Sequence, residues 1–375
     1  MSETPREQPE SFPRASHEMT RREFLETAAV STAAATILTA DGAAAEGKLP
    51  AGEEHGKEGH MDHHNIEEIA QPYLERDGKL FAAIKEAGGW KQFVEQNADR
   101  IREDAFYPAG MEKAVACMDE GDDETEVNGK AVHLIRLAGS GILDMDLEDL
   151  LENNPLSSAH IEKMADAFIA ENITVIQSHG GCGAGGIALE KLWEKKLGRK
   201  LTPEEKKLHV APEAVDELVQ TYSEAIVAAM QRKLKAAGKE DDARKVRAHF
   251  KPLEQMSRPA AAHIAQVIYY DGTNAFKTSG DMLPAGFLVS ARNILSVVSG
   301  NRTVDLAKQI SFGGHGLGEL LTEERPLHIV VIGNPADPEF SEQALLRRAN
   351  EWKASLPEDM QKRVVIESFT APLAA

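Results

Sequence analysis

The stretch from Ile173 to Gly186 restricts what this chain can fold into more than any other. Ile173-Thr174-Val175-Ile176-Gln177-Ser178 is a β-branched, apolar run of strand length. It breaks into His179-Gly180-Gly181-Cys182-Gly183-Ala184-Gly185-Gly186, and a long helical pattern follows. The same grammar occurs upstream. Strand-like Lys113–Met118 gives way to an acidic loop, and strand-like Val132–Leu137 ends at Ala138-Gly139-Ser140-Gly141. A helix over about 157–171 comes next, with Ser157 or Ser158 placed to cap its first turn. Strands separated by loops and helices pair in parallel, because parallel neighbours need a crossover. The expectation is an α/β fold, a mainly parallel β-sheet flanked by helices, with ligands gathered at the carboxyl ends of the strands.

Residues 66–104 carry apolar positions at helical spacing (Ile66, Ile69, Leu74, Ile84, Trp90, Phe93) interrupted by Gly88-Gly89, which predicts two or three helices. Residues 187–252 read as a charged helical insertion. Leu189, Leu192, Leu197, Leu208, Val215, Leu218, Ala225, Ile226 and Met230 form its core-facing stripe. A strand over 265–270 runs into the turn Asp271-Gly272. The C-terminus adds a strand at 327–332, a helix at 341–356 and a strand at 364–366, one β-α-β unit. The organisation is therefore a leader over 1–45, a His/Gly-rich linker over 46–65, a principal domain over 66–280 and an α/β extension over 281–375. His55, His60, His63 and His64 fall in the linker, which lacks apolar periodicity and reads as a spacer rather than a fixed metal site.

With 61 acidic against 42 basic side chains and a formal charge of -19, and with no basic stripe along any predicted helix, a nucleic-acid partner is excluded. The leader contains Thr20-Arg21-Arg22-Glu23-Phe24-Leu25, a weakly apolar run to Ala40 and small residues at Ala43, Ala44 and Ala45. It resembles a twin-arginine export signal, and its apolar run is too short to span a bilayer. The resemblance implies a periplasmic or extracellular protein with no integral membrane segment after cleavage.

Export raises one explanation for the two cysteines of the chain, Cys117 and Cys182: a disulfide. The alternative is a metal. Catalytic zinc takes three protein ligands and keeps a fourth position for water. Cys117 ends a strand, while His179 and Cys182 stand three apart in a glycine-rich loop, where both side chains can turn to one point.

Four segments carry a more specific likeness. Cys117-Met118-Asp119 resembles the Cys-x-Asp of the β-class carbonic anhydrases, and Ser178-His179-Gly180-Gly181-Cys182-Gly183 resembles their His-x-x-Cys-Gly. Ile135-Arg136-Leu137-Ala138-Gly139-Ser140 is similar to their Arg-x-Ala-Gly-Asn segment, and Val267-Ile268-Tyr269-Tyr270-Asp271 to their late strand. The likeness spans about 110–275. It implies Zn2+ held by Cys117, His179 and Cys182, with Asp119 as catalytic carboxylate or fourth ligand. It further implies hydration of carbon dioxide to bicarbonate by zinc-bound hydroxide, and a homodimer formed through the N-terminal helices. One position departs from the pattern: two residues after Asp119, where the family has an arginine that pairs with the carboxylate, this chain has Gly121. That leaves open a non-catalytic zinc or scaffold protein whose site Asp119 closes. A zinc hydrolase acting on carbonyl sulfide or carbon disulfide is a further variant. Arg136 is the candidate to replace the missing arginine. His315, in Gly313-Gly314-His315-Gly316, reads as a turn residue, and His133 and His263 as core histidines; no phosphate-binding loop is present.

Overall fold

Short apolar runs separated by helices do pair in parallel. A computed structural model describes residues 63–119, 121, 126–127, 130–143, 156, 158–256, 265–278, 280–292 and 321–373, all within one compact unit spanning His55–Ala375. The expected leader, all but the end of the linker, His263 and His315 lie outside the described residues. Among the described residues three helices come first, α1 (His63–Glu86), α2 (Trp90–Gln96) and α3 (Ala98–Ala105), so α1 begins inside the segment expected as linker. Then follow β1 (Lys113–Cys117), the short antiparallel pair β2 (Glu126–Val127) and β3 (Lys130–Ala131), β4 (His133–Leu137), α4 (Ser158–Ala170) and β5 (Ile173–His179). The next helices are α5 (Gly183–Leu197), α6 (Pro203–His209), α7 (Pro212–Ala236) and α8 (Glu240–Lys245). The chain finishes with β6 (Arg247–Lys251), β7 (Val267–Asp271), β8 (Gly286–Ser290), β9 (Leu327–Gly333), α9 (Glu342–Ala354), α10 (Glu358–Lys362) and β10 (Val364–Thr370).

Among the described residues two four-stranded sheets result, ordered β4-β1-β5-β6 and β10-β9-β7-β8, and every pairing within them is parallel. The Leu288 N–H of β8 donates to the Met118 carbonyl just past β1 at 3.2 Å, tying the two together. Both faces of the second sheet are covered, as the period-two alternation of its strands requires. Ile268, Tyr270, Phe287, Val289, Ile329 and Val331 join the main core. Val267, Tyr269, Leu288, Val330 and Ile332 face Ile84, Trp90, Phe93 and Ile101 of the N-terminal helices. Trp90 meets Tyr269 edge-on, ring centroids 6.0 Å apart. The helices expected to dimerise therefore cover a sheet of their own chain.

Four expectations differ from the structure. The segment 187–252 is not wholly helical, because its end forms β6. Arg247, His249 and Lys251 give that strand no apolar run to betray it, and an edge strand can carry them. Leu197 and Leu208 are 40% and 69% exposed, so the core stripe belongs mainly to α7, where Val215, Leu218, Val219, Tyr222, Ile226, Ala229 and Met230 are buried at i, i+3, i+4 spacing. The division at 280 falls inside the second sheet, since β7 lies between β8 and β9. The last strand also runs on to Thr370, in register with the whole of β9. Among the described residues, no helix is long and apolar enough to cross a membrane.

Candidate metal centre

The order β4-β1-β5 sends the chain from β1 to one side and then back to the other, which opens a crevice between the carboxyl ends of β1 and β5. Cys117 is the last residue of β1 and His179 the last of β5. Cys182 caps the N-terminus of α5 three residues later. The three ligand atoms lie within 4.8 Å of one another, and all three side chains are buried, at 4%, 0% and 2% exposure. Tetrahedral zinc, with bonds of about 2.0–2.3 Å, sets its donors roughly 3.5–3.8 Å apart, so a contraction of about 1 Å closes the set. Both cysteines are reduced thiols, and the disulfide alternative is not what the structure contains. Cys117, His179 and Cys182 thus form a group able to hold a metal ion.

Main-chain groups prepare each donor. The Gly139 N–H, from the loop after β4, donates to Cys117 Sγ at 3.3 Å, and the Gly185 N–H in the first turn of α5 donates to Cys182 Sγ at 3.4 Å. Such contacts offset part of the charge of a thiolate ligand. Gly139 has φ +56°, and a Cβ there would lie 2.6 Å from Ile142 Cγ2, 2.9 Å from Ala184 Cβ and 3.6 Å from Cys182 Sγ. Only glycine lets this loop pack so closely against Ala184 while its N–H meets Cys117 Sγ. His179 sits 2.9 Å through Nδ1 from the Gly180 carbonyl, an oxygen that can only accept, so the proton is on Nδ1 and the lone pair on Nε2. The hydrogen bond with Cys182, followed by burial and the negative charge of that sulfur, pushes the Cys117 thiol well above its ordinary range. A cation entering the site displaces that proton.

Asp119 is 5% exposed and stands outside the three-donor group. Its Oδ1 accepts the Gly121 N–H at 2.8 Å, a turn closed on its own backbone. Arg136, on β4 opposite Ala116, is 2% exposed and donates through one guanidinium nitrogen to the Cys117 carbonyl at 2.8 Å. It brings positive charge against the end of the strand that carries Cys117.

No protein-family model, curated protein or solved structure matches the chain. The candidate metal centre therefore rests on its own geometry. Asp271, at the end of the strand that resembles the family's late strand, is buried, and its Oδ1 accepts from the N–H and hydroxyl of Thr273; it organises the turn after β7. His133 is held by the Asn274 carbonyl and stacks on Tyr107, centroids 4.7 Å apart, and burial lowers its pKa. Sequence reasoning passed over Asp216 of α7, whose Oδ1 accepts the Gly181 N–H at 2.9 Å. Burial raises its carboxyl above the usual range, while the Gly181 N–H and then His179 pull it back. No motif marks it, since it is one carboxylate among several on a charged helix.

Proposed function

We propose that the chain hydrates carbon dioxide to bicarbonate on a zinc ion held by Cys117, His179 and Cys182. The observation that carries this reading is a convergent two-sulfur, one-imidazole donor set from which Asp119 is drawn aside by the Gly121 amide. Three protein donors leave one coordination position for solvent, the pattern of a catalytic rather than a closed site. The donor set suits zinc, which favours tetrahedral sulfur and nitrogen ligands. When bound, zinc supplies a Lewis acid that generates a strong oxygen nucleophile from water near neutral pH. The chain's own groups then orient the chemistry. Asp119, two residues beyond Cys117, would be the carboxylate that accepts a proton, and Arg136, bonded to the Cys117 carbonyl, would favour negative charge at the end of β1. The Gly121 amide does for Asp119 what an arginine does in the family the motifs resemble.

Stopped-flow hydration of carbon dioxide by the zinc-loaded chain tests this, with one zinc per chain established by elemental analysis. A rate no greater than that of free zinc at every pH from 7 to 9 ends the enzyme reading. The deep burial of the three donors favours a second reading, a structural zinc centre, which predicts that removing zinc lowers the melting temperature while no hydration is measured. Carbonyl sulfide and carbon disulfide in the same assay separate the hydrolase variant. We further propose export through the twin-arginine route and a homodimer. Replacing Arg21 and Arg22 by lysine should retain the protein in the cytoplasm, and light scattering should give twice the chain mass.

A further inference from the structure

We propose that Asp216 is a positioning residue of the metal centre and acts on His179 through the Gly180–Gly181 peptide group. Two hydrogen bonds meet at this one peptide. His179 Nδ1–H donates to the Gly180 carbonyl at 2.9 Å, and the Gly181 N–H donates to Asp216 Oδ1 at 2.9 Å. The C=O and N–H of one peptide plane are joined by resonance, so a carboxylate drawing on the N–H moves electron density onto the carbonyl oxygen. A more negative carbonyl grips the imidazole N–H harder, and hydrogen bonds in such a chain strengthen one another by roughly 10–30%. The consequence reaches Nε2, which becomes a stronger donor to a cation, as it does when a carboxylate touches a ligating histidine directly.

The surroundings hold the peptide in this orientation. Gly181 takes φ +65°, a left-handed conformation that lets the plane present its N–H to α7 and its carbonyl to His179. A Cβ on Gly180 would lie 2.7 Å from the Leu253 main-chain nitrogen and 3.3 Å from Asp216 Oδ2, so the carboxylate lies directly over this glycine. The α5–α8 segment thereby gains a role. α7 packs on β5, and its first turns carry the carboxylate that sets the electronics of the ligand at the end of β5.

This role rests on Cys117, His179 and Cys182 being a metal centre, but not on the reaction performed there. Its test uses the full chain, wild type and the variants Asp216→Asn, Asp216→Ala and Glu213→Gln. Glu213 lies on the same helix, is exposed, and acts on Asp216 only by its charge, so Glu213→Gln removes one negative charge and leaves the Asp216 hydrogen bond in place. Two quantities are measured: Co2+ affinity from the sulfur-to-cobalt absorbance in competition with a chelator, and the ring nitrogen shifts of His179 in the metal-free protein. Asn retains an acceptor for the Gly181 N–H and removes only the charge, so Asp216→Asn should fold as wild type, checked by circular dichroism. It should bind Co2+ about tenfold more weakly and move both ring shifts. Asp216→Ala should weaken binding further, and Glu213→Gln should change neither quantity. Wild-type affinity and ring shifts in Asp216→Asn, or an equal effect from Glu213→Gln, overturn the proposal. If the wild type takes up no Co2+ or Zn2+, the metal-centre reading fails. The ring shifts still decide the relay, because unchanged shifts in Asp216→Asn refute it.

Discussion

Replacing Gly139 by alanine should cost the protein about 3 kcal/mol and disturb the metal centre at once. The left-handed φ of +56° charges any L-residue about 1–2 kcal/mol. The new methyl would also stand 2.6 Å from Ile142 Cγ2 and 2.9 Å from Ala184 Cβ, and neither contact belongs to the end of a flexible side chain. Overpacking of this kind adds about 1–3 kcal/mol. Relief by moving the loop outward lengthens the 3.3 Å contact between the Gly139 N–H and Cys117 Sγ. Gly183, the first residue of α5, provides the control. A methyl added there would meet nothing within 4 Å and the backbone is helical, so Gly183→Ala should be neutral or gain up to about 1 kcal/mol. Urea unfolding of both variants, with and without zinc, reads the difference. A loss below about 1 kcal/mol for Gly139→Ala, or equal losses for the two variants, would refute the steric argument.

Single replacements Cys117→Ser, His179→Ala and Cys182→Ser should each abolish stoichiometric zinc in elemental analysis. The thermal stabilisation by added zinc, about 2.7 kcal/mol at a free concentration one hundredfold above the dissociation constant, should vanish with it. His160 gives a pH signature away from the site. Burial, followed by the nearby Lys163, holds it at about 4 against the ordinary 6.5. The unfolded chain therefore binds more protons than the folded one between those values, and stability is lost as pH falls from 6.5 to 4. The loss amounts to about 3 kcal/mol at about 1.36 kcal/mol per pH unit. His160→Gln should flatten this arm of the stability curve, and an unchanged slope would show that His160 does not titrate this way.

Parallel pairing and the placement of the candidate donors at strand ends were legible because both are written locally. Val115, Ile135 and Ile176 sit in short apolar runs, and the glycines around His179 and Cys182 announce a loop at a strand end. The strands β6 and β8 were not: Arg247, His249 and Lys251 have no strand pattern, and β8 is a five-residue run buried on both faces. Gly121 looked like the loss of a partner for Asp119, since a sequence displays side chains and conceals main-chain N–H groups.

By itself the sequence determined which residues offer sulfur and nitrogen donors, and that they stand at a strand end or in the glycine-rich loop just after one. Only the tertiary structure decided that they meet. Cys117 and His179 are some sixty residues apart in the chain, and they become neighbours because β5 adds to β1 on the side away from β4. Contact between such residues follows from strand order, which is set by the packing of α4, α7 and both sheet faces together rather than by any local propensity. The same packing brings Asp216 over the Gly180–Gly181 peptide, a meeting of one helix with one loop that no spacing in the chain encodes.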